Sequence, residues 1–370
     1  MVKEGRGWFD INDHFPVQLL VAQIPGRQDE ALLISNNRQN NMDKLDLGII
    51  GVGHLGSIHA RLAAQSEKIN LVGVFDLDRE RAEKVARDYS TECFRDMHAL
   101  LEKVQGVSIV VPTSEHYSVA LKALDYGCHL FLEKPIASGV EQARDIVEKA
   151  REKNRKIQVG HIERFNPAIL AIKDHPLKPM FIEAHRLSTF NPRGCDVSVV
   201  LDLMIHDLDL ILYLVKSPVT HVDACGVAVV SREEDIANVR LKFASGCVAN
   251  ITSSRIALNP MRRMRLFQQN QYIALDFQEK KADIFKLTEQ DTPPDPTCKP
   301  TVVSRIGVGD SARDIIHEKP SPPEVNSLQM ELEEFAKAVV HDLEPEVPGE
   351  QGLMALETAA DILEQIARPE

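Results

Sequence analysis

From residue 46 to about residue 159, short apolar runs alternate with stretches in which apolar positions recur every three or four residues. The runs at 45–50, 69–75, 106–111, 129–132 and 156–159 predict strands, and the stretches at 57–65, 79–88, 97–103, 117–126 and 140–154 predict helices. Short β-branched strands alternating with helices make a parallel sheet with right-handed crossovers, covered on both faces. The first half therefore reads as α/β, a doubly wound sheet whose ligands sit beyond the carboxyl ends of its strands.

After residue 160 the pattern changes. A short helix at 167–172 and a strand at 180–187 precede a strong apolar helix at 197–215. Runs at 221–230, 236–243, 247–255, 261–267, 272–276 and 283–287 follow, several alternating with period two and joined by turns as short as Ala244-Ser245-Gly246. This half predicts an α+β domain built on a large open, mostly antiparallel sheet. Residues 289–325 hold seven of the chain's twenty prolines, which predicts an extended, irregular connector. The tail at 329–340 and 352–366 reads as two helices.

Residues 1–41 match neither half. They hold Trp8 and end in a polar run, after which Met42 looks like a natural start; they are expected to be an extension, disordered or not native, with a docking segment as the rival reading. The remaining length is enough for two domains, expected at 42–160 and 161–370. A net charge of −12 argues against nucleic-acid binding, which needs a basic face. Cys93, Cys128, Cys195, Cys225, Cys247 and Cys298 are scattered without C-x-x-C or zinc-like His spacing, so free thiols and no metal are expected. No apolar run approaches the ~18 residues of a membrane span, and the charged start does not read as a signal peptide. A cytoplasmic protein with no membrane partner is the expectation.

One turn organises the first half. The run at 45–50 stops at Gly51, Gly53 and Gly56, spaced G-x-G-x-x-G with His54 and Leu55 between, and a helical pattern follows. Gly51 permits the turn, Gly53 lets the backbone approach a pyrophosphate, and Gly56 lets helix and strand pack closely; the helix N-terminus then presents N–H groups to the phosphates. Asp76 ends the next strand, twenty positions after Gly56, where a dinucleotide site needs a carboxylate for a ribose hydroxyl. The first domain is thus expected to be a Rossmann domain binding NAD in preference to NADP, whose 2′-phosphate Asp76 would repel. Arg79 and Arg81 lie near enough to tolerate that phosphate, although their pattern also suits a solvated helix face.

Three constellations should meet at the nicotinamide end. Pro112 and Thr113 end a strand, with His116 just beyond as a residue near the cofactor or a capping histidine. Glu133 and Lys134 precede Pro135, which restricts Lys134 and lets its ammonium be aimed; a solvated turn lysine is the other reading. Asp202 and His206 stand four apart in an apolar helix, on one face, suited to proton removal from an alcohol with the carboxylate orienting the imidazole. A metal pair and a purely structural pair remain open there.

The E-K-P turn, the T-x-x-H loop and the D-x-x-x-H helix behind an N-terminal G-x-G-x-x-G resemble the glucose-fructose oxidoreductase, inositol dehydrogenase and rhizopine-catabolism (Gfo/Idh/MocA) family of NAD(P)-dependent sugar and polyol oxidoreductases. The resemblance implies two domains, catalytic Lys134, Asp202 and His206, and an open sheet that builds homodimers or homotetramers. The run Gly160-His161-Ile162-Glu163-Arg164-Phe165-Asn166-Pro167 is similar to nucleotide-sugar members of that family. This implies UDP-N-acetylglucosamine, oxidised to its 3-keto form on the way to lipid A, as substrate. His161, Arg164 and Asn166 are then candidates for substrate contact, Arg164 also for the nicotinamide. A diphosphate needs cations, for which Arg186, Arg193, Arg255, Arg263 and Arg265 are available; alternation puts Arg263 and Arg265 on one face, substrate-binding or oligomeric. An inositol or free-sugar dehydrogenase, and a non-catalytic NAD- and sugar-binding regulator, are the other readings.

Overall fold

The glycine turn closes the first strand of a six-stranded sheet. The computed structural model describes residues 44–191, 197–288, 301–307 and 312–367; the expected extension at 1–41 lies outside them, as do Arg193, Cys195 and Cys298. In chain order the first half runs β1 (Leu45–Ile50), α1 (His54–Gln65), β2 (Ile69–Phe75), α2 (Arg79–Asp88), β3 (Glu92–Cys93), α3 (Met97–Leu101), β4 (Gly106–Ile109), α4 (Thr113–Asp125), β5 (His129–Glu133), α5 (Val140–Glu152) and β6 (Ile157–Gly160). The strand order is β3-β2-β1-β4-β5-β6, and every pairing is parallel. The order reverses between β1 and β4, which opens a crevice at their carboxyl ends where the glycine turn lies.

Two helices begin earlier than the apolar pattern predicts. α1 starts at His54 rather than 57, because the turn itself supplies the first helical residues; α4 starts at Thr113 rather than 117, directly after Pro112, whose ring needs no N–H partner. Thr113 and His116 thus both fall in the first turn of α4.

A turn of 3₁₀-helix (Ile162–Phe165) and the one-turn α6 (Pro167–Leu170) lead into the second sheet. Its strands are β7 (Phe181–Leu187), β8 (Val219–Val227), β9 (Ile236–Phe243), β10 (Val248–Ser254), β11 (Met261–Gln268), β12 (Gln271–Asp276), β13 (Lys281–Leu287), β14 (Thr301–Ile306) and β15 (Arg313–Glu318). They stand in the order β14-β15-β13-β12-β11-β7-β10-β9-β8; β7–β10 is the parallel pairing and the rest are antiparallel. The expectation of an irregular connector fails at β14 and β15, where Thr301 stands opposite His317, Val302 opposite Ile316 and Ser304 opposite Ile315, and the two strands extend the sheet. Pro320, Pro322 and Pro323 follow β15 and so leave these strands intact.

The long apolar helix is not continuous either. Residues Val200–Met204 form a π-turn, and α7 (Ile205–Val215) continues from it. α7 packs on one face of the large sheet, with Ile205, Leu208 and Ile211 against Ile182, Ala184, Val239 and Ile251. The tail helices α8 (Ser327–Val340) and α9 (Gly349–Ala367) turn back: Leu332 and Phe335 of α8 join the core on one side of the six-stranded sheet, and Ala355 and Ile362 of α9 join the core of the large one.

Among the described residues the other face of the large sheet is uncovered. Phe181, Phe267, Tyr272, Phe285 and His317 stack in a row across five strands of it, with ring centroids 4.3–5.7 Å apart. Arg263 and Arg265 share this face, as their alternation predicts, and line a concavity of about 670 Å³ there.

Candidate active site

At the crevice the glycines take distinct conformations for distinct reasons. Gly51 has φ +86°, and a Cβ on Gly56 would lie 1.9 Å from the carbonyl oxygen of Gly51, so helix and turn touch backbone to backbone. A Cβ on Gly53 would meet nothing within 4 Å: the space over it is open, as a cradle for a pyrophosphate must be. Leu55 is partly exposed beside it in the first turn of α1. Asp76 is held at the end of β2 by the backbone N–H groups of Val52 and Asp78, both donating at 2.8 Å. Open space, helix N-terminus and anchored carboxylate fit a dinucleotide. Arg79 is spent on exposed Glu83 at 2.8 Å, while Arg81 lies 3.0 Å from Asp78 and 3.6 Å from Asp76.

Pro112 and Thr113 stand at the end of β4. His116 is buried, with Nε2 3.1 Å from the carbonyl of Val111 and Nδ1 2.9 Å from that of Pro135. Both of its ring nitrogens are thus engaged within the fold. It ties the start of α4 to the turn that follows Lys134, and burial lowers its pKa against the pull of the two carbonyls.

That turn, with a cis Lys134–Pro135 bond, aims the lysine across to the other half. Lys134 Nζ donates to the backbone carbonyl of Asp202 at 2.8 Å and lies 3.8 Å from its carboxylate. Burial lowers the lysine's pKa, partly offset by Asp202 and Glu133. Behind it, Glu133 stands 3.2 Å from His59 Nε2, and His59 Nδ1 shares a hydrogen bond with Ser108 at 2.9 Å.

His206 begins the first turn of α7, with Nδ1 buried and unpartnered. Its pKa falls well below the ordinary value, first through burial and then through the positive charges of Lys134 and Arg186. A neutral imidazole beside a lysine suits proton acceptance from an alcohol. Asp202, expected to orient this imidazole or to share the proton relay, lies beside Lys134. Among the described residues no group of three metal-ligating side chains comes together, so the pair is not part of a metal cluster there.

The junction run departs most from expectation. Arg164 is buried, its guanidinium donating to both Asp209 oxygens at 2.7 Å and stacked on Tyr213 at 4.1 Å. Arg186 is likewise buried: it donates to both oxygens of Asp207 at 2.9 Å and to Glu163 at 2.8 Å. Burial works against its charge, but the two carboxylates hold its pKa above the ordinary value. Asn166 caps α6 and donates to Glu163 and the Phe277 carbonyl. Arg164 and Arg186, expected as cofactor or substrate contacts, thus form buried pairs with carboxylates, with Arg164 Nη1 left unpartnered among the described residues, and Asn166 caps α6.

Arg255 is buried and donates to the Val197 carbonyl, Arg263 donates to Asp276 at 2.8 Å, and Arg265 lies 2.9 Å from Glu183. His161 remains close to the base, its ring 6.5 Å from that of His206, fully buried and without a partner on either nitrogen. The sequence reading missed Asp207 and Asp209, although two further carboxylates in an apolar helix were a visible signal. It also missed Glu331 on α8, wholly buried with both oxygens unpartnered and its pKa driven well up by burial.

Lys134 follows β5, in the same parallel sheet whose β1 ends in the glycine turn, and meets Asp202 on the turn that leads into His206; the comparisons with known proteins bear on what that arrangement is. The description of an oxidoreductase family with an NAD-binding Rossmann fold, GFO_IDH_MocA, matches residues 45–161, and that of the GFO/IDH/MocA C-terminal domain matches residues 177–273. The chain belongs to the Gfo/Idh/MocA oxidoreductase family. A UDP-N-acetylglucosamine 3-dehydrogenase of Acidithiobacillus ferrooxidans is 38% identical over 293 residues, 79% of this chain and 88% of that protein. The scyllo-inositol 2-dehydrogenase (NAD(+)) of Bacillus subtilis is 30% identical over 226 residues, 56% of this chain and 66% of its own. A solved structure of the A. ferrooxidans enzyme superposes with a TM-score of 0.77 at 34% identity, covering 87% of this chain and 98% of that one. As a Gfo/Idh/MocA protein the chain is an oxidoreductase that binds a nicotinamide dinucleotide and acts on a small molecule.

Proposed function

We propose that this chain catalyses the NAD-dependent oxidation of a ring hydroxyl on a nucleotide sugar, UDP-N-acetylglucosamine to its 3-keto form. The observation that carries the chemistry is the approach of the Lys134 ammonium to Asp202 on the π-turn that leads into neutral His206. The substrate rests on the likeness to the A. ferrooxidans enzyme along most of both chains.

In this reading Gly51, Gly53, Gly56 and the first turn of α1, with His54 and Leu55, hold the pyrophosphate, and Pro112 and Thr113 border the nicotinamide. The bound dinucleotide supplies the hydride acceptor. His206 accepts the hydroxyl proton, Lys134 steadies the charge that develops on the oxygen, and Asp202 tempers the lysine rather than the imidazole. Asp76, fixed by two backbone N–H groups, favours the ribose hydroxyls of NAD over the phosphate of NADP. The division at 42–160 and 161–370 separates cofactor from substrate. The open face of the large sheet, with its aromatic row, meets a second copy in a homodimer or homotetramer. The reaction takes place in the cytoplasm, ahead of the amination that serves lipid A.

The test is a screen of purified protein with NAD against UDP-sugars, inositol and free sugars, following reduced nicotinamide and the mass of the product. Turnover of UDP-N-acetylglucosamine to a product two hydrogens lighter is expected; turnover confined to inositol or free sugars overturns the substrate. His206→Ala and Lys134→Ala should each lower kcat by about 10²–10⁴-fold with the KM for NAD within about threefold. Unchanged kcat in either variant removes that residue from the chemistry.

A further inference from the structure

A nucleotide sugar carries two negative phosphates one ring's width from the carbon to be oxidised. A cation must therefore lie near His206, in a chain whose net charge is −12. The arginines examined above are engaged: Arg164 by Asp209, Arg186 by Asp207 and Glu163, Arg255 by the Val197 carbonyl, Arg263 by Asp276 and Arg265 by Glu183.

Arg262 differs from all of them. In the β7–β11 pairing it stands opposite Arg186, so it shares the face on which Arg186 grips Asp207, the neighbour of His206. The next two residues on that face, Met264 and Leu266, are fully buried in the core, but Arg262 at the start of the strand is exposed. Among the described residues it has no ion pair and no side-chain hydrogen bond. It is also close enough for its charge to act on both His206 and Asp207. Alternation hides it in the sequence, because its neighbours Arg263 and Arg265 point to the opposite, open face.

We propose that Arg262 grips the diphosphate of the substrate and so sets the preference for a nucleotide sugar over a free one. A guanidinium is a planar fork of donors that meets phosphate oxygens two at a time, and one left without a carboxylate at the rim of a cleft keeps that capacity. The inference rests on the nucleotide-sugar reading above, and the experiment separates the two.

Arg262→Ala and Arg262→Lys are compared with the wild type for four quantities. These are the KM for UDP-N-acetylglucosamine, the affinity for UDP measured by calorimetry with the reduced cofactor saturating, the KM for NAD and the Tm. In Arg262→Ala the first two should weaken together by about 10- to 100-fold, the loss expected for one charged hydrogen-bonding partner, with partial recovery in Arg262→Lys. The KM for NAD and the Tm should not move, which distinguishes a ligand contact from a structural role. Equal affinity of wild type and Arg262→Ala for UDP, or no binding of UDP to either, overturns the proposal. If the wild type turns over no UDP-sugar, the substrate reading falls by itself, and the UDP titration still decides Arg262.

Discussion

Gly53 and Gly56 belong to the same turn and meet opposite surroundings. At Gly56 an added methyl group would lie 1.9 Å from a backbone oxygen that cannot move without opening the turn; at Gly53 it would enter empty space, and φ there is −63°, ordinary for any L-residue. Gly56→Ala should therefore lower the Tm by many degrees or prevent folding. Gly53→Ala should stay within about 2 °C of the wild type while raising the KM for NAD by at least about tenfold, since its methyl group takes the place of the pyrophosphate; thermal unfolding and steady-state kinetics check both. The spacing made these glycines legible because their roles depend on backbone shape. The arginines were not legible in the same way. Nothing in the local sequence distinguishes Arg164, bound within the fold, from Arg262, free at its rim, since each is defined by a partner far along the chain.

The helix that carries His206 is held by two forks from elsewhere. Arg164 of the 3₁₀ turn and Arg186 of β7 clasp Asp209 and Asp207, so the turn of helix that follows His206 is fixed by buried charge pairs. Removing one member of such a pair leaves an uncompensated buried charge, whereas removing both replaces it with apolar packing. Arg164→Ala should thus cost about 3–5 kcal/mol in denaturant unfolding, and Arg164→Met combined with Asp209→Leu should recover most of it. Additive losses in the double variant would show that the two residues do not act as a pair. At this scale periodicity located most helices and strands. It missed the π-turn at Val200–Met204, which changes hydrogen bonding without changing composition, and it missed β14 and β15, where proline density outweighed two short β-branched runs.

Across the whole molecule, apart from these ion pairs, several buried titratable groups are held toward their neutral forms. His116, His161 and His206 all have pKa values lowered first by burial, below the unfolded value of about 6.5. The unfolded chain takes up protons first as pH falls through that value, so the stability these residues contribute is present above it and lost below it. Between pH 7 and 5.5 that contribution should therefore decline. Glu331 acts the other way: its raised pKa favours the folded state at low pH, a contribution lost as pH rises. The Tm should fall from pH 7 to 5.5, and fall further in Glu331→Gln, which lacks the opposing carboxyl; a flat Tm in both would refute the neutral interior. By itself the sequence determined the parallel sheet, the glycine turn, the family, and which lysine, aspartate and histidine are candidates for the chemistry, because alternation, glycine spacing and short motifs are local properties of the chain. Only the tertiary structure decided that Asp202 lies by Lys134, that Arg164 and Arg186 clasp Asp209 and Asp207, and that Arg262, without an ion pair among the described residues, stands opposite Arg186. Those facts are pairings across folded elements, and a pairing is settled only by where packing brings the two partners.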